Sequence, residues 1–188
     1  MFSPAQANQI VATAQRQYSF EIHGGAAFAA LHQVGRDQTL LRLLRSGNVS
    51  ATRSYVQREF AAVWYHKHIS RMRILQGSRV LVEVGVPFVV APVHMTLRGP
   101  GGQNLGTLQV SIQDEIGFVR LIHRHHPVDV VVRGQRRGQL ETSLPAAAHV
   151  GLPANGSVTI AGQRYRVSSF REMAWNHEPV TVSILMKG

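Results

Sequence analysis

Along the first third of the chain apolar residues recur at intervals of three and four, whereas along the remainder they alternate with polar ones. Ser3-Pro4-Ala5-Gln6 has the form of a helix start: serine caps, proline fits the first turn, and Gln6 completes a capping box. Ile10, Ala14 and Tyr18 follow at spacings of four with Val11 beside them, which predicts one apolar stripe on a helix interrupted by Gly24-Gly25. A second helix is predicted at Ala26–Val34, and a third carries Leu40, Leu41, Leu43 and Leu44 before Gly47 stops it. Ser50 is placed to cap a fourth, in which Val56, Phe60 and Val63 share a face.

From about Ile69 the period becomes two. Arg71–Gln76 and Arg79–Val84 flank Gly77-Ser78, a tight hairpin; Val93–Arg98 and Asn104–Gln113 surround Gly99-Pro100-Gly101-Gly102, a second one. Asp114 is placed to cap a helix carrying Ile116, Val119, Leu121 and Ile122 that ends before Pro127. Strands then follow at Asp129–Arg133, Gln139–Ser143, Ser157–Ile160, Gln163–Phe170 and Val180–Met186. Helices segregated ahead of a mostly antiparallel sheet predict an α+β fold. With no internal repeat and no linker, residues 1–188 read as a single domain, mainly helical over 1–68 and mainly sheet over 69–188, with a helix near 114–125.

Composition narrows the function classes. The 188 residues include no cysteine, which excludes disulfides, thiolate–zinc and iron–sulfur sites and thiol catalysis. No run of 18 apolar residues occurs, and Met1-Phe2-Ser3-Pro4 lacks the basic and apolar regions of a signal peptide. The formal charge of +10 invites a nucleic-acid reading, but the arginines are scattered, and no RNP-like motif, zinc finger or basic helical stripe accompanies them. No nucleic-acid partner is expected.

Catalytic motifs are equally sparse. His66 and His68, or His123 and His126, have spacings that allow a shared metal, yet no H-E-x-x-H and no carboxylate at a ligand-like spacing joins them. The segment 98–106 is glycine-rich but lies between two strands, where a phosphate loop would lead into a helix. G-x-S-x-G is absent, and Asp114 and Glu115 are neighbours that diverge on a helix. The expectation is a non-catalytic chain with no metal and no cofactor.

Strand alternation supplies the candidate site. Arg71 and Arg73 share one strand face opposite Met72 and Ile74, and Gln109, Ser111 and Gln113 share another opposite Val110 and Ile112. A sheet face carrying Arg71, Arg73, Ser111 and Gln113, partly roofed by a helix, offers guanidinium and amide donors to a small anionic ligand. The candidate residues, in order of preference, are Arg73, Arg71, His68, Trp64, Ser111 and Gln113. Arg71 and Arg73 would pair with an anionic group, Trp64 would form an apolar wall, and Ser111 and Gln113 would orient the ligand.

The order of elements over residues 3–130 resembles the Cache-like branch of PAS-related extracytoplasmic sensor domains. The hairpin Arg71–Val84, the stretch Pro92–Gln113 with Leu105-Gly106-Thr107-Leu108, and the helix after Asp114 carry the resemblance. More narrowly, Val110–Asp114 with Gly117-Phe118, Ser168-Ser169-Phe170 and Val182–Leu185 look like a group of secreted or membrane-anchored actinobacterial proteins of Cache-like type. The resemblance implies a PAS/Cache-like sheet, an extracytoplasmic location and non-catalytic sensing of a small anionic or zwitterionic molecule. It also implies that a targeting segment or anchor is missing from this chain. The tyrosine, arginine and aspartate constellation of amino-acid-sensing Cache domains does not occur as a motif. Two other readings stay open: a ligand-free domain that forms a homodimer through Ile10, Ala14 and Tyr18 of the N-terminal helix, and a histidine-based metal-dependent hydrolase.

Overall fold

The structure, a computed structural model, describes residues 2–188. The chain divides into two compact units, one formed by residues 21–113 and the other by 2–20 together with 114–188. The first is inserted in the sequence of the second, so the first and last described elements begin and end in the same unit.

The inserted unit contains α2 to α4 and four strands. Helix α1 (Pro4–His23) runs up to it; α2 (Gly25–Gly35), α3 (Gln38–Ser46) and α4 (Val49–Glu59) follow, and α4 continues through a π-helical turn, Phe60–Trp64. The breaks have local causes. Asp37 accepts the Leu40 N–H at 2.8 Å and so caps α3, while Gly47 ends it in the left-handed region at φ 70°. Asn48, not Ser50, caps α4: its side chain accepts from the Ala51 N–H at 2.9 Å, two residues before the position the sequence suggests. Both are good caps, and the one in extended backbone prevails.

Strands β1 (Arg71–Gln76), β2 (Arg79–Gly85), β3 (Val93–Arg98) and β4 (Asn104–Ser111) form an antiparallel sheet in the order β2-β1-β4-β3. Rows of opposed residues run across it: Val84–Met72–Val110–Val93 and Val82–Ile74–Leu108–Met95. These form the apolar face, which clusters with Leu31, Val34, Leu40, Leu44, Val56 and Trp64 from the helices. Gly106 is needed in β4 because its φ is +139° and a Cβ there would meet the Leu75 carbonyl oxygen at 2.5 Å.

The second unit opens with the capping box that the sequence predicts. The Ser3 N–H donates to Gln6 Oε1 at 2.9 Å, and the Gln6 N–H donates to Ser3 Oγ at 3.2 Å. Ala14 and Tyr18 of α1, two of the residues offered for a homodimer, are fully buried within the chain, and Tyr18 packs edge-on to Phe118 at 4.9 Å. Helix α5 (Glu115–His125) is capped by Asp114, which accepts the Gly117 N–H at 2.8 Å as expected.

Strands β5 (Asp129–Arg133), β6 (Leu140–Thr142), β7 (Asn155–Ile160), β8 (Gln163–Met173) and β9 (Pro179–Lys187) form a five-stranded antiparallel sheet ordered β6-β5-β9-β8-β7. Helix α5 packs on β5 and β6. The opposite face, with Val131, Val167 and Leu185, clusters with Leu144, Ala147, Val150 and Leu152 from the segment joining β6 to β7. Both sheets therefore follow one rule: the unit's first strand lies between its second and its last.

Candidate functional site

The sequence-selected residues lie in the unit formed by 21–113, where β1 sets their geometry. Arg71 pairs in register with Ser111, and Arg73 with Gln109, so all four sit on the sheet face opposite Met72 and Ile74. Across the other edge of β1, Arg73 faces Glu83 and Arg71 faces Gly85. One row, Glu83–Arg73–Gln109–His94, thus crosses all four strands.

Glu83 reaches this face because of a β-bulge. The two-residue turn at Gly77-Ser78 pairs Gln76 with Arg79 and Leu75 with Val80, and an unbroken ladder would set Arg73 against Val82. The register instead shifts between Ile74 and Leu75, so Ile74 meets Val82 and Arg73 meets Glu83. The extra residue, Leu81, is buried together with Val82, as happens where two successive side chains turn inward.

The guanidinium groups are held rather than loose. Arg71 donates from Nε to Glu83 Oε1 at 2.8 Å and pairs with the same oxygen through Nη2; its Nη1 donates to the Pro87 carbonyl at 2.7 Å. Arg73 donates through Nε and Nη2 to Gln109 Oε1 at 2.8 and 2.5 Å, and its Nη1 lies 3.9 Å from Glu83 Oε2. Side-chain exposures of 19%, 14% and 26% for Arg71, Arg73 and Glu83 place the cluster at the half-buried level, where charge–charge contacts outweigh those in open water. Ser111 is buried and its hydroxyl donates to the Gln113 carbonyl at 3.4 Å, while that carbonyl also accepts the Val90 N–H at 3.1 Å.

The remaining candidates are placed differently. His68 is exposed and ends a short helical turn in the left-handed region, φ 66°. Trp64 is 3% exposed within the helix-covered core, edge-on to Tyr55 at 6.3 Å. It belongs to the cluster on the Met72 side of the sheet, so it does not wall the arginine face. The helices α2 to α4 cluster with that same side, and the expected helical roof over the arginines is instead the floor beneath them. Sequence reading missed Glu83, Gln109 and His94 as members of the site. Gln109 alone had a signal, since it alternates in phase with Ser111.

The second unit holds one buried ionisable pair. Tyr18 Oη donates to Glu115 Oε1, and the other oxygen, Oε2, is buried without a hydrogen-bond partner among the described residues. Burial pushes the Glu115 carboxyl up to about 8; the Tyr18 hydrogen bond opposes this, and the charges of Asp114, Glu141 and Glu172 add to it. Among the described residues no group of three or more His, Asp or Glu side chains gathers where it would hold a metal ion. His123 bonds instead through Nδ1 to the Val128 carbonyl at 2.7 Å.

No protein-family model matches the chain, and no curated protein resembles it in sequence. Solved structures do resemble it. The periplasmic domain of Vibrio cholerae LuxQ superposes with a TM-score of 0.63 at 13% identity, covering 96% of this chain and 99% of that one. A selenomethionine structure of the same domain gives 0.58, with 96% and 98% coverage at 13% identity. The sensor domain of the V. cholerae histidine kinase DctB gives a TM-score of 0.52 at 12% identity, covering 98% of each chain. The chain therefore has an α+β, PAS/Cache-like fold, shared with the LuxQ periplasmic domain and the DctB sensor domain.

Proposed function

We propose that residues 1–188 act as a single extracytoplasmic, non-catalytic sensor domain of Cache-like type, built from the two units, that binds a small anionic or zwitterionic ligand. The carrying observation is the half-buried pairing of Arg71 and Arg73 with Glu83 on one sheet face. A ligand carboxylate would exchange with Glu83 or Gln109 for the planar guanidinium donors, and a ligand ammonium group would take Glu83. Ser111 and Gln113 border the Arg71 end of this face and His68 lies before β1, while Trp64 supports β1 from the core side. The kinship of fold with periplasmic domains supports the location; among the described residues no helix is long and apolar enough to cross a membrane.

A thermal-shift screen of the full chain against amino acids and small carboxylates tests this reading. A ligand at a hundred times its Kd stabilises by about 2.7 kcal/mol, which raises Tm by roughly 5–10 °C for a chain of this size. Arg73→Gln abolishes the shift without unfolding the chain. The reading fails when no compound stabilises the protein, or when Arg73→Gln responds as the parent does.

A homodimer through the N-terminal helix would have to use residues other than Ala14 and Tyr18; Phe20, which is 58% exposed, is a large apolar side chain open for it.

A further inference from the structure

A cavity of about 300 Å³ opens on the β5–β9–β8 sheet of the unit formed by 2–20 and 114–188. One register row crosses its base, with Arg133 on β5 opposite Thr181 on β9 and Thr181 opposite Arg171 on β8. At about 4.8 Å per strand spacing, the two arginine backbones stand roughly 10 Å apart with a hydroxyl between them. The next row brings up Ser183, whose hydroxyl lies 2.8 Å from that of Ser169.

The cations here are not neutralised. Arg133 is half-buried and donates through Nη1 and Nη2 to the Val150 carbonyl at 3.3 Å and through Nη2 to the Ala148 carbonyl at 3.1 Å. Neutral carbonyls fix its plane and leave its charge in place, and its Nε–H makes no bond among the described residues. Arg171 is exposed and makes no ion pair or hydrogen bond among the described residues. No carboxylate lines the cavity. The neighbouring Glu178 is taken by Arg136 and by Gln139, which donates to it at 2.8 Å. Glu141 and Glu172 are opposite Val132 and Val180, on the reverse face of the sheet.

We propose that this cavity binds a small phosphomonoester through Arg133, Arg171 and Thr181. Two unneutralised guanidinium groups match a dianion, the charge that a phosphomonoester approaches at neutral pH. The donors come from three adjacent strands, which suits a tetrahedral group with acceptors in several planes better than a flat carboxylate. The volume exceeds that of the phosphoryl group, and Val131, Leu152 and Pro179 supply an apolar wall for a short organic remainder.

Titration calorimetry of the full chain at low ionic strength, with glycerol phosphate, inorganic phosphate and acetate as probes, tests the site. Glycerol phosphate binds, acetate binds at least tenfold more weakly, and Arg171→Gln, which removes an exposed side chain with no bond among the described residues, weakens glycerol phosphate binding at least tenfold. Inorganic phosphate binding as tightly as the ester supports the oxyanion site and assigns it to free phosphate. Thr181→Val gives a second, folded variant with weakened binding. Absence of phosphate binding in the millimolar range, or equal affinity in Arg171→Gln, overturns the proposal. A ligand of the face formed by Arg71 and Arg73 does not compete with glycerol phosphate; competition would also overturn it, so the two sites stand or fall separately.

Discussion

Replacing Glu115 by glutamine should stabilise the protein at high pH and leave it nearly unchanged at low pH. Glu115 is fully buried at the first turn of α5, its Oε1 accepts from Tyr18 of α1, and its Oε2 has no partner among the described residues. The charged groups that shift it are Asp114 beside it, Glu141 on β6 and Glu172 on β8, all acidic, so each opposes its ionisation. The folded chain thus holds this proton up to about pH 8, whereas the unfolded chain releases it near 4.5. Between these values the folded state binds more protons, so stability falls as pH rises through the window and the loss is complete above pH 8. At about 1.4 kcal/mol per pH unit for one proton, the loss is on the order of 4–5 kcal/mol, a large part of a typical domain's stability.

Glutamine keeps the size and the acceptor for Tyr18 but cannot ionise. Urea unfolding of the parent and Glu115→Gln at pH values from 5 to 9.5 isolates the effect, because every other titrating group is common to both chains. The difference in stability should be within about 1 kcal/mol at pH 5 and grow to several kcal/mol in favour of glutamine by pH 9.5. Two parallel stability curves would refute the argument, as would a carbon-13 titration showing the Glu115 carboxyl ionised at pH 6.

Two smaller perturbations probe the same framework. Gly106→Ala should cost about 2–3 kcal/mol in urea unfolding, because φ is +139° and the added Cβ meets the Leu75 carbonyl at 2.5 Å; an unchanged midpoint would contradict the close approach of β4 to β1. Asp114→Asn keeps the cap on the Gly117 N–H but removes a charge beside Glu115, so it should lower the Glu115 pKa and raise stability above pH 8, whereas Asp114→Ala loses about 1 kcal/mol of capping.

Much of the secondary structure was legible because its signals are local. Helix starts at Ser3 and Asp114, the stop at Gly47 and the turn at Gly77-Ser78 depend on residues within one turn of themselves. The partition into two sheets was not legible, since alternation shows which way a side chain faces and not which strand lies beside it. For the same reason the shared strand order of the two sheets left no repeat in the sequence: β2-β1-β4-β3 and β6-β5-β9-β8-β7 repeat a topology and not a set of residues. Trp64 shows the limit of composition, because a tryptophan two turns from an arginine strand reads as a wall until the helices prove to cover the other face.

The +10 charge acquires meaning only through strand parity. In β1 and β2 a single extra residue, Leu81, carries Glu83 onto the face of Arg71 and Arg73, producing a mixed-charge surface. In β5, β8 and β9 no such slip occurs. Arg133 and Arg171 fall on one face, while Glu141 and Glu172 fall on the other, where they crowd Glu115. The same alternation therefore yields a cluster suited to a zwitterion in one unit, and in the other an uncompensated cationic cavity with a carboxyl kept protonated near neutrality on the reverse side of its sheet. Counting charges along the sequence cannot separate these outcomes; one residue of register does, by moving every following side chain to the opposite face.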